Sequence, residues 1–452
     1  MIRIGYPSGY WGDDQTAPSR MLESTSEIDY LAMDYLAEIT MAILKRQQER
    51  DETLGYARDF PPLVTELVED LKGRDVALLA NAGGVNPESC KDAVLDVAAE
   101  AGVDVSVAAV TGDEISDRIP ALREQGIELD NMDTGQSFED IDDDLVAANA
   151  YLGAFPIAEA LDRGADIVVT GRCIDAALAM GPMIHEFGWN PDEYDKLASG
   201  LVAGHLLECG AQVTGGVFLE GWEEVDFIEM GYPIVEVDAD GTFVITKPEG
   251  TGGLVTEATV KEQLVYEIKD PTAYHGPDVT ADFTTPQLEQ VGDDRVRVTE
   301  CAGRAPPDSL KVSALYRDGY KAQLLLTYSW PDALEKAERA DDVIRRRLDR
   351  AGVEFQEILT EFVGYNGCHG DISPRPEDPN EIVLRIAVKA DGKEPINAFA
   401  KRAIPIAIAG PPNVTPLVSG RPDPEPVLSF WPCTIERDAV EPGLTVESTE
   451  VT

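Results

Sequence analysis

Apolar and polar residues alternate with two different periods along the first half of the chain. Short apolar runs with the composition of buried strands occur at residues 2–9, 75–84, 103–113 and 165–171. Between these runs, apolar residues recur at helical spacing, which predicts helices at residues 28–48, 88–101, 115–126, 148–164, 173–184 and 197–210. Strands that alternate with helices favour a parallel sheet covered by helices. We therefore predict an α/β domain over residues 1–232, built on a doubly wound, mostly parallel sheet.

The pattern changes near residue 230. Two runs on either side of Asp240-Gly241 predict a hairpin over residues 234–247. Further runs predict antiparallel strands at residues 296–300, 310–319, 321–330 and 381–390, and helical spacing predicts a long helix over 332–352. The prolines of residues 410–432 exclude a regular helix or a central strand, so this segment should cover a surface or reach a neighbouring subunit. Residues 233–452 are thus predicted to form a smaller α+β domain with antiparallel strands.

The chain carries a large excess of acidic residues. It has 37 Lys and Arg against 84 Asp and Glu in 452 residues, a formal net charge of −47. Such a charge repels polyphosphates and anionic membranes, so we expect neither nucleic acid nor a membrane as a partner. The acids lie along the whole chain, and their mutual repulsion is screened at about 1 M salt, where the Debye length is about 3 Å. We interpret the protein as that of a halophilic archaeon; the alternative is an acidic mesophilic protein that binds polycations or calcium.

The chain shows no sequence signal for a membrane or for export. No run approaches the roughly 18 apolar residues of a transmembrane helix, and the first residues lack the apolar core of a signal peptide. None of the six cysteines forms a Cys-x-x-Cys pair. We therefore expect a cytoplasmic protein with free thiols.

Four polar loops follow the predicted strands of the first half. They span residues 9–14, 81–87, 110–113 and 170–175. Ligands bind at the carboxyl ends of the strands in open parallel sheets, and right-handed crossovers bring those ends to one edge. These loops are therefore predicted to share one cleft, whose polar side chains are Asp13, Asp14, Asn81, Asn86, Asp113, Arg172 and Asp175.

Within this cleft the residue types suggest an anion site with acid–base groups. Arg172 would hold an anionic group, and Asp13 and Asp175 are candidate acid–base residues. The loops could supply further ligand contacts through Asn81, Gly83, Gly84, Asn86 and Gly171. No dinucleotide fingerprint follows the first strand and no P-loop is present, so the loops match no known nucleotide motif.

Two further positions are candidates. His205 and Cys209 are four residues apart and face the same side of a predicted helix, next to Glu208. They could be metal ligands or an acid–base pair, or His205 could be a buried histidine with satisfied hydrogen bonds; the metal requirement stays unknown. Lys247 lies in a Gly-rich turn that could cradle a phosphate or the pantetheine tail of CoA, although a plain hairpin exit is the alternative.

Several of these motifs together resemble the acyclic terpene utilisation family, the AtuA-like proteins. The motifs are GYWGD (9–13), ANAGGVNP (80–87), TGRCIDAAL (170–178), HEFGW (185–189), GHLLECGAQVTGG (204–216), GYPIVEV (231–237) and TKPEGTGGLV (246–255). They occur in order and span nearly the whole chain. In the family a basic residue often follows the Gly-Asp pair, whereas this chain has Asp14 there, which removes a possible anion contact.

The resemblance implies a role in the breakdown of branched, terpenoid-like acids or their CoA thioesters. We expect an enzyme that uses hydration, lyase chemistry or proton abstraction, with CoA entering as part of the substrate. The alternative is a non-catalytic, metabolite-binding or scaffold subunit of an acyl-CoA-processing complex. Some relatives carry a further ferredoxin-like domain, which implies a small ferredoxin-like partner chain, and a homo-oligomer is expected.

Overall fold

A computed structural model describes residues 1–25, 27–418 and 420–450. The strands are β1 (Ile2–Gly5), β2 (Tyr30–Met33), β3 (Ala77–Ala80), β4 (Ser106–Thr111), β5 (Leu145–Ala150), β6 (Ile167–Thr170), β7 (Ile234–Val237), β8 (Phe243–Thr246), β9 (Tyr274–His275), β10 (Thr280–Asp282), β11 (Gln287–Gly292), β12 (Arg295–Thr299), β13 (Ala302–Arg304), β14 (Ser309–Ser329), β15 (Glu357–Val363), β16 (Glu381–Ala390), β17 (Val414–Pro416), β18 (Glu425–Glu436) and β19 (Thr445–Glu450). The helices are α1 (Ala17–Ser24), α2 (Glu38–Arg50), α3 (Phe60–Arg74), α4 (Pro87–Ala101), α5 (Ile119–Glu124), α6 (Phe155–Asp162), α7 (Ala177–Phe187), α8 (Tyr194–Glu208), α9 (Glu257–Leu264), α10 (Ala333–Arg350), α11 (Lys393–Ala403), α12 (Ile406–Ala409) and α13 (Arg437–Val440).

A ten-stranded mixed sheet dominates the structure. Its order is β11-β12-β8-β7-β1-β2-β3-β6-β4-β19. The five central strands, from β1 to β4, are parallel, and the strands that flank them pair antiparallel. This confirms a mixed α/β protein with a mostly parallel sheet core, whereas the doubly wound arrangement stays a prediction.

Two compact units divide the chain by their internal contacts. One comprises Met1–Leu315 and the chain from Phe430 onward, and the other comprises Tyr316–Ser429. The second unit has an antiparallel sheet in the order β15-β16-β14-β17 and a core that includes Tyr328, Ile344 and Phe399. The predicted boundary after residue 232 stays a prediction; β7, which follows it, pairs with β1 in the large sheet.

Helix α4 shows how local sequence sets an element beside the polar loops. Asn86 accepts a hydrogen bond from the backbone N–H of Ser89, Pro87 occupies the first turn, and Gly102 ends the helix in the left-handed conformation. Each residue suits its position, because an N-cap needs an acceptor and a C-terminal reversal needs positive φ. The sequence-based helix over 88–101 is confirmed.

Three element predictions are wrong. Residues 30–33, predicted as part of a helix, form β2, and residues 145–150, which overlap the helix predicted over 148–164, form β5. All four β2 residues are buried, and periodicity cannot distinguish a short, fully buried strand from a helix. The strands predicted at 310–319 and 321–330 are one continuous strand, β14.

The proline-rich segment has more order than expected. Its described residues, 410–418 and 420–432, contain no regular helix, as predicted, but they include β17 and the first part of β18. Strand β17 pairs with β14 at an edge of its sheet, a position compatible with proline. Among the described residues, no helix is long and apolar enough to cross a membrane.

Candidate functional site

Arg172 lies in the loop after β6 and is the centre of a buried polar cluster. Its side chain is 3% exposed, and Nη1 donates to Asp175 Oδ1 at 2.6 Å and to the carbonyl of Leu36 at 3.1 Å. The guanidinium carbon lies 4.2 Å from the centre of the Tyr151 ring, a cation–π contact. Its Nε has no hydrogen-bond partner among the residues that the structure describes. A buried guanidinium with a free donor suits an anionic or carbonyl oxygen.

Asp34, at the end of β2, is the second member of the cluster. It is 4% exposed, and its Oδ1 accepts hydrogen bonds from Asn81 Nδ2 at 2.7 Å and from the backbone N–H of Leu36 at 2.9 Å. Burial and the charge of Asp175 raise the pKa of Asp34 well above its usual value, against the opposing effects of Asn81 and Arg172. Such a carboxyl can hold a proton near neutral pH.

Sequence reasoning missed Asp34 because residues 28–48 were predicted as one helix. The strand Tyr30–Met33 is a short apolar run followed at once by an acid. The same signal, a polar residue directly after a buried strand, identified the other loops and could have identified this one.

Asp113, which follows β4, holds the Arg172 loop in place by a hydrogen bond to its backbone. Its Oδ2 accepts hydrogen bonds from the backbone N–H of Arg172 at 2.9 Å and from Asn149 Nδ2 at 2.8 Å. A Cβ at Gly171 would lie 2.4 Å from Asp113 Oδ1, so only glycine allows this approach. Burial raises the pKa of Asp113 to about 6. Asp113 therefore positions Arg172.

Tyr151, which packs against Arg172, connects it to Glu38. The Tyr151 hydroxyl donates to Glu38 Oε1 at 2.7 Å, and Lys311 Nζ lies 3.6 Å from the same oxygen. Burial would raise the pKa of Glu38, but the hydrogen bond from Tyr151 and the charge of Arg172 lower it below its usual value. We call Arg172, Asp34, Asp175, Asp113 and Tyr151 the arginine cluster; sequence reasoning missed Tyr151, Glu38 and Lys311.

Helix α8 brings His205 and Glu208 to the same region. A Cβ at Gly204 would lie 2.5 Å from the carbonyl oxygen of Ala176, so the helix passes in close contact with the residue after Asp175. His205 Nδ1 lies 3.0 Å from Glu208 Oε1, and its Nε2 lies 2.9 Å from the carbonyl oxygen of Gln263. Both ring nitrogens are therefore occupied.

Tyr6 lies among the same acids. Its side chain is fully buried, and its hydroxyl has no hydrogen-bond partner within the described part of the chain. Burial, followed by the charges of Asp34, Glu208 and Asp175, raises its pKa well above the usual value. The hydroxyl stays protonated and can donate a hydrogen bond.

Of the predicted site residues, Asn81, Gly171, Arg172, Asp175 and His205 lie in or beside the arginine cluster. Both ends of the Asn81 amide are engaged, because Nδ2 donates to Asp34 and Oδ1 accepts from the backbone N–H of Tyr35. Asn81 thus holds Asp34 in place.

The contacts of Asp13 and Asn86 stabilise their own loops. Asp13 accepts hydrogen bonds from the backbone N–H groups of Gly9 and Asp14 and from the Tyr232 hydroxyl. Asn86 caps α4, and its Nδ2 donates to backbone carbonyls of the 52–54 loop. Their predicted catalytic and binding roles stay predictions.

Gly83, Gly84 and Lys247 also contact protein atoms. A Cβ at Gly83 would lie 2.6 Å from the carbonyl oxygen of Thr170, and one at Gly84 would lie 2.3 Å from Leu44 Cδ1. Lys247 Nζ donates to the carbonyl of Thr251 at 2.8 Å and lies 2.9 Å from Asp294 Oδ2. These contacts account for the residues structurally, and their ligand-binding roles stay predictions.

A cavity of about 330 Å³ lies at the opposite edge of the sheet, near the amino ends of β2, β3 and β6. Its lining includes Tyr30, Lys72, Asp166 and Glu186. These groups pair with one another, since the Tyr30 hydroxyl donates to Glu186 at 2.6 Å and Lys72 Nζ lies 2.8 Å from Asp166. The chemistry therefore favours the arginine cluster over this cavity as the site. Among the described residues, no group of three or more His, Cys, Asp or Glu side chains could hold a metal ion.

Comparison with known families gives a match over nearly the whole chain. The profile of the acyclic terpene utilisation family protein AtuA matches residues 2–446. Neither a curated protein nor a solved structure matches the chain. The matched residues include every member of the arginine cluster and the His205–Glu208 contact.

Proposed function

Because the chain belongs to the acyclic terpene utilisation family AtuA, we propose that it is a catabolic enzyme that uses acid–base chemistry on a branched, terpenoid-like acid or its CoA thioester. Family membership implies a role in acyclic terpene utilisation. The reaction is our proposal, and the arginine cluster is its proposed site.

The observation that carries the proposal is a buried guanidinium with a free donor beside two carboxyl groups. Arg172 Nε, without a partner among the described residues, would donate to the carboxylate or thioester carbonyl oxygen of the substrate. A hydrogen bond to that oxygen stabilises the negative charge that develops when a proton leaves the neighbouring carbon or when water adds across a conjugated double bond.

The two carboxyl groups would share the proton transfers. Asp34, whose pKa is raised by burial and by Asp175, can supply a proton near neutral pH. Asp175, with 30% of its side chain exposed, is the more accessible carboxyl and the candidate base. Two acids in different environments beside one cation suit hydration, lyase chemistry or proton abstraction.

Ligand binding followed by turnover tests this proposal. We would measure thermal stabilisation in high salt by branched-chain acids and their CoA thioesters, with octanoate and octanoyl-CoA as straight-chain comparisons. The branched ligands are expected to raise Tm, Arg172→Lys should abolish that rise, and Asp34→Asn should retain binding but lose turnover. Asp278→Asn is the matched control, because burial raises the pKa of Asp278 as it does that of Asp34, and Asp278 lies outside the cluster. Folded Arg172→Lys and Asp34→Asn variants with full turnover would disprove the assignment.

A second candidate is a non-catalytic subunit of an acyl-CoA-processing complex. It is favoured by exposed apolar side chains in one segment after α8, including Leu219 (80% exposed) and Ile228 (86% exposed). The expected homo-oligomer and ferredoxin-like partner chain belong to this candidate. Purification from native extract distinguishes the two, because a stoichiometric partner and no turnover by the chain alone would favour the subunit.

We also propose a halophilic, cytoplasmic protein. The support is the net charge of −47, whose self-repulsion needs molar salt to be screened. Tm should fall steeply between 3 M and 0.1 M KCl. Full stability at 0.1 M KCl would refute the halophilic origin.

A further inference from the structure

His205 and Glu208 form a buried pair in the last turn of α8. The His205 side chain is 2% exposed and that of Glu208 is 13% exposed. The contacts are 3.0 Å from Nδ1 to Glu208 Oε1 and 2.9 Å from Nε2 to the carbonyl oxygen of Gln263. Gln263 Nε2 donates in return to the carbonyl of His205 at 3.1 Å, which fixes the end of α8 against the end of α9.

These contacts determine the number of protons in the pair. A carbonyl oxygen only accepts, so Nε2 must carry a hydrogen in every protonation state of the ring. The contact between Nδ1 and the carboxylate then needs one further proton. That proton lies either on Nδ1, as an imidazolium and a carboxylate, or on Glu208, as an imidazole and a carboxylic acid. In both forms the pair has no net charge.

The surroundings favour this one-proton state. Burial penalises a pair with net charge of either sign, and the carboxyl end of a helix favours a protonated histidine. Burial alone would lower the pKa of His205, but the charge and hydrogen bond of Glu208 outweigh it and raise the pKa. Burial raises the pKa of Glu208 against the charge of His205, and Asp175 and Glu267 raise it further.

Other titratable groups face the pair from the neighbouring elements. The charge of Glu208 acts on Tyr6 after β1, on Cys209 at the end of α8, on Tyr266 after α9 and on Tyr274 in β9. None of these neighbours is a cation, so His205 is the group that balances Glu208.

We propose that His205 and Glu208 act as a one-proton unit, in which one shared proton keeps the end of α8 beside the site without net charge. His205 is then a positioning residue and not the general base. Its relevance to catalysis rests on the proposed function. Without His205, the carboxylate of Glu208 would add a negative charge close to that of Asp175. Because both ring nitrogens are occupied, His205 has no free nitrogen with which to take a proton from a substrate.

Nitrogen NMR tests the proton count directly. The chain has only four histidines, so ¹⁵N-histidine labelling gives a simple spectrum in which His205→Gln identifies the His205 signals. In the wild-type protein, Nε2 should stay protonated from pH 5 to 9 and the Nδ1 shift should show a bound or shared proton. Glu208→Gln should convert His205 to the neutral Nε2–H form over this range. A wild-type His205 that titrates near 6.5, as a free histidine does, or a spectrum unchanged by Glu208→Gln, would overturn the proposal.

The pH dependence of unfolding tests the role of His205 in neutralising Glu208. His205→Gln leaves the buried Glu208 carboxyl, whose pKa is raised, without its partner. Such a carboxyl stabilises the native state while it is protonated, so this stabilisation is lost as pH rises. We expect the Tm of His205→Gln, relative to that of the His205→Gln/Glu208→Gln double variant, to be lower at pH 8 than at pH 5. Glu208→Gln alone should show no such fall in Tm as pH rises.

A Tm difference between His205→Gln and the double variant that is the same at pH 5 and pH 8 would contradict the one-proton unit. If His205→Gln does not fold, the histidine spectra of wild type and Glu208→Gln still decide the question. Neither measurement uses a substrate. Failure of these tests would leave the proposal for Arg172 intact, and failure of the enzymatic proposal would leave these results intact.

Discussion

The two edges of the parallel sheet core differ in how deeply their charged side chains are buried. At the carboxyl edge, Arg172 is 3% exposed and retains a donor without a partner among the described residues. At the amino edge, Lys72 is 46% exposed and its partner Asp166 is 28% exposed. A surface pair of that kind contributes little to stability, because water solvates each charge when the other is removed.

The difference in burial follows from the topology of the parallel sheet. Loops that follow parallel strands converge at one edge, so they can bury several acids around one cation. Burial raises the pKa of Asp34 and Asp113 at that edge. The amino edge has a cavity lined by charged groups of both signs, and there Lys72 pairs with Asp166.

The largest expected effect comes from removing the cation at each edge. Arg172→Met leaves the buried Asp34 and the half-buried Asp175 without their counter-charge and should lower the free energy of unfolding by about 3–5 kcal/mol. Lys72→Met should cost less than about 1 kcal/mol. Urea denaturation in high salt measures both values. Similar losses for the two variants would show that the edges do not differ as we infer.

A smaller effect is expected from the proton bound by Asp113. Its pKa rises through burial from 3.8 to about 6, so the native state binds a proton more tightly than the unfolded state between these values. Stability contributed by that proton is present below pH 4 and is lost as pH rises to about 6. The loss amounts to roughly 3 kcal/mol.

Asp113→Asn should therefore be more stable than wild type at pH 7 by up to about 3 kcal/mol, and no more stable at pH 4. Its amide oxygen can still accept from Arg172 and Asn149. Asp162→Asn is the control at the amino edge, where the side chain is 64% exposed, and it should change stability by less than about 0.5 kcal/mol. An Asp113→Asn variant that gains nothing at pH 7 would refute this account.

The carboxyl edge could be predicted because its signal is local. Arg172, Asp175, Asp113 and Asn81 each follow a short apolar run, and the crossover rule brings such ends together. Asp34 obeys the same rule but was hidden, since the buried strand β2 has the composition of a buried helix.

The remaining partners depend on contacts between distant parts of the chain. Glu38 accepts a hydrogen bond from the hydroxyl of Tyr151, 113 residues further along the chain. His205 contacts the carbonyl oxygen of Gln263, which is 58 residues away. No spacing rule relates such pairs. Asn86 shows the same limit: the sequence places it in a polar loop before a predicted helix, but its contacts with the 52–54 loop and with Ser89 were not visible in the sequence.

The smallest expected effect compares one tyrosine hydroxyl at each edge. Tyr151→Phe removes the donor to Glu38 but keeps the ring against Arg172, so it should cost about 1 kcal/mol. Tyr30→Phe removes the donor to Glu186, which is exposed and can be solvated instead, so roughly 0.5 kcal/mol is expected. The same urea titrations measure both. A larger loss for Tyr30→Phe would mean that the amino edge holds its polar groups as tightly as the carboxyl edge, and the contrast in burial would then not account for the difference in chemistry.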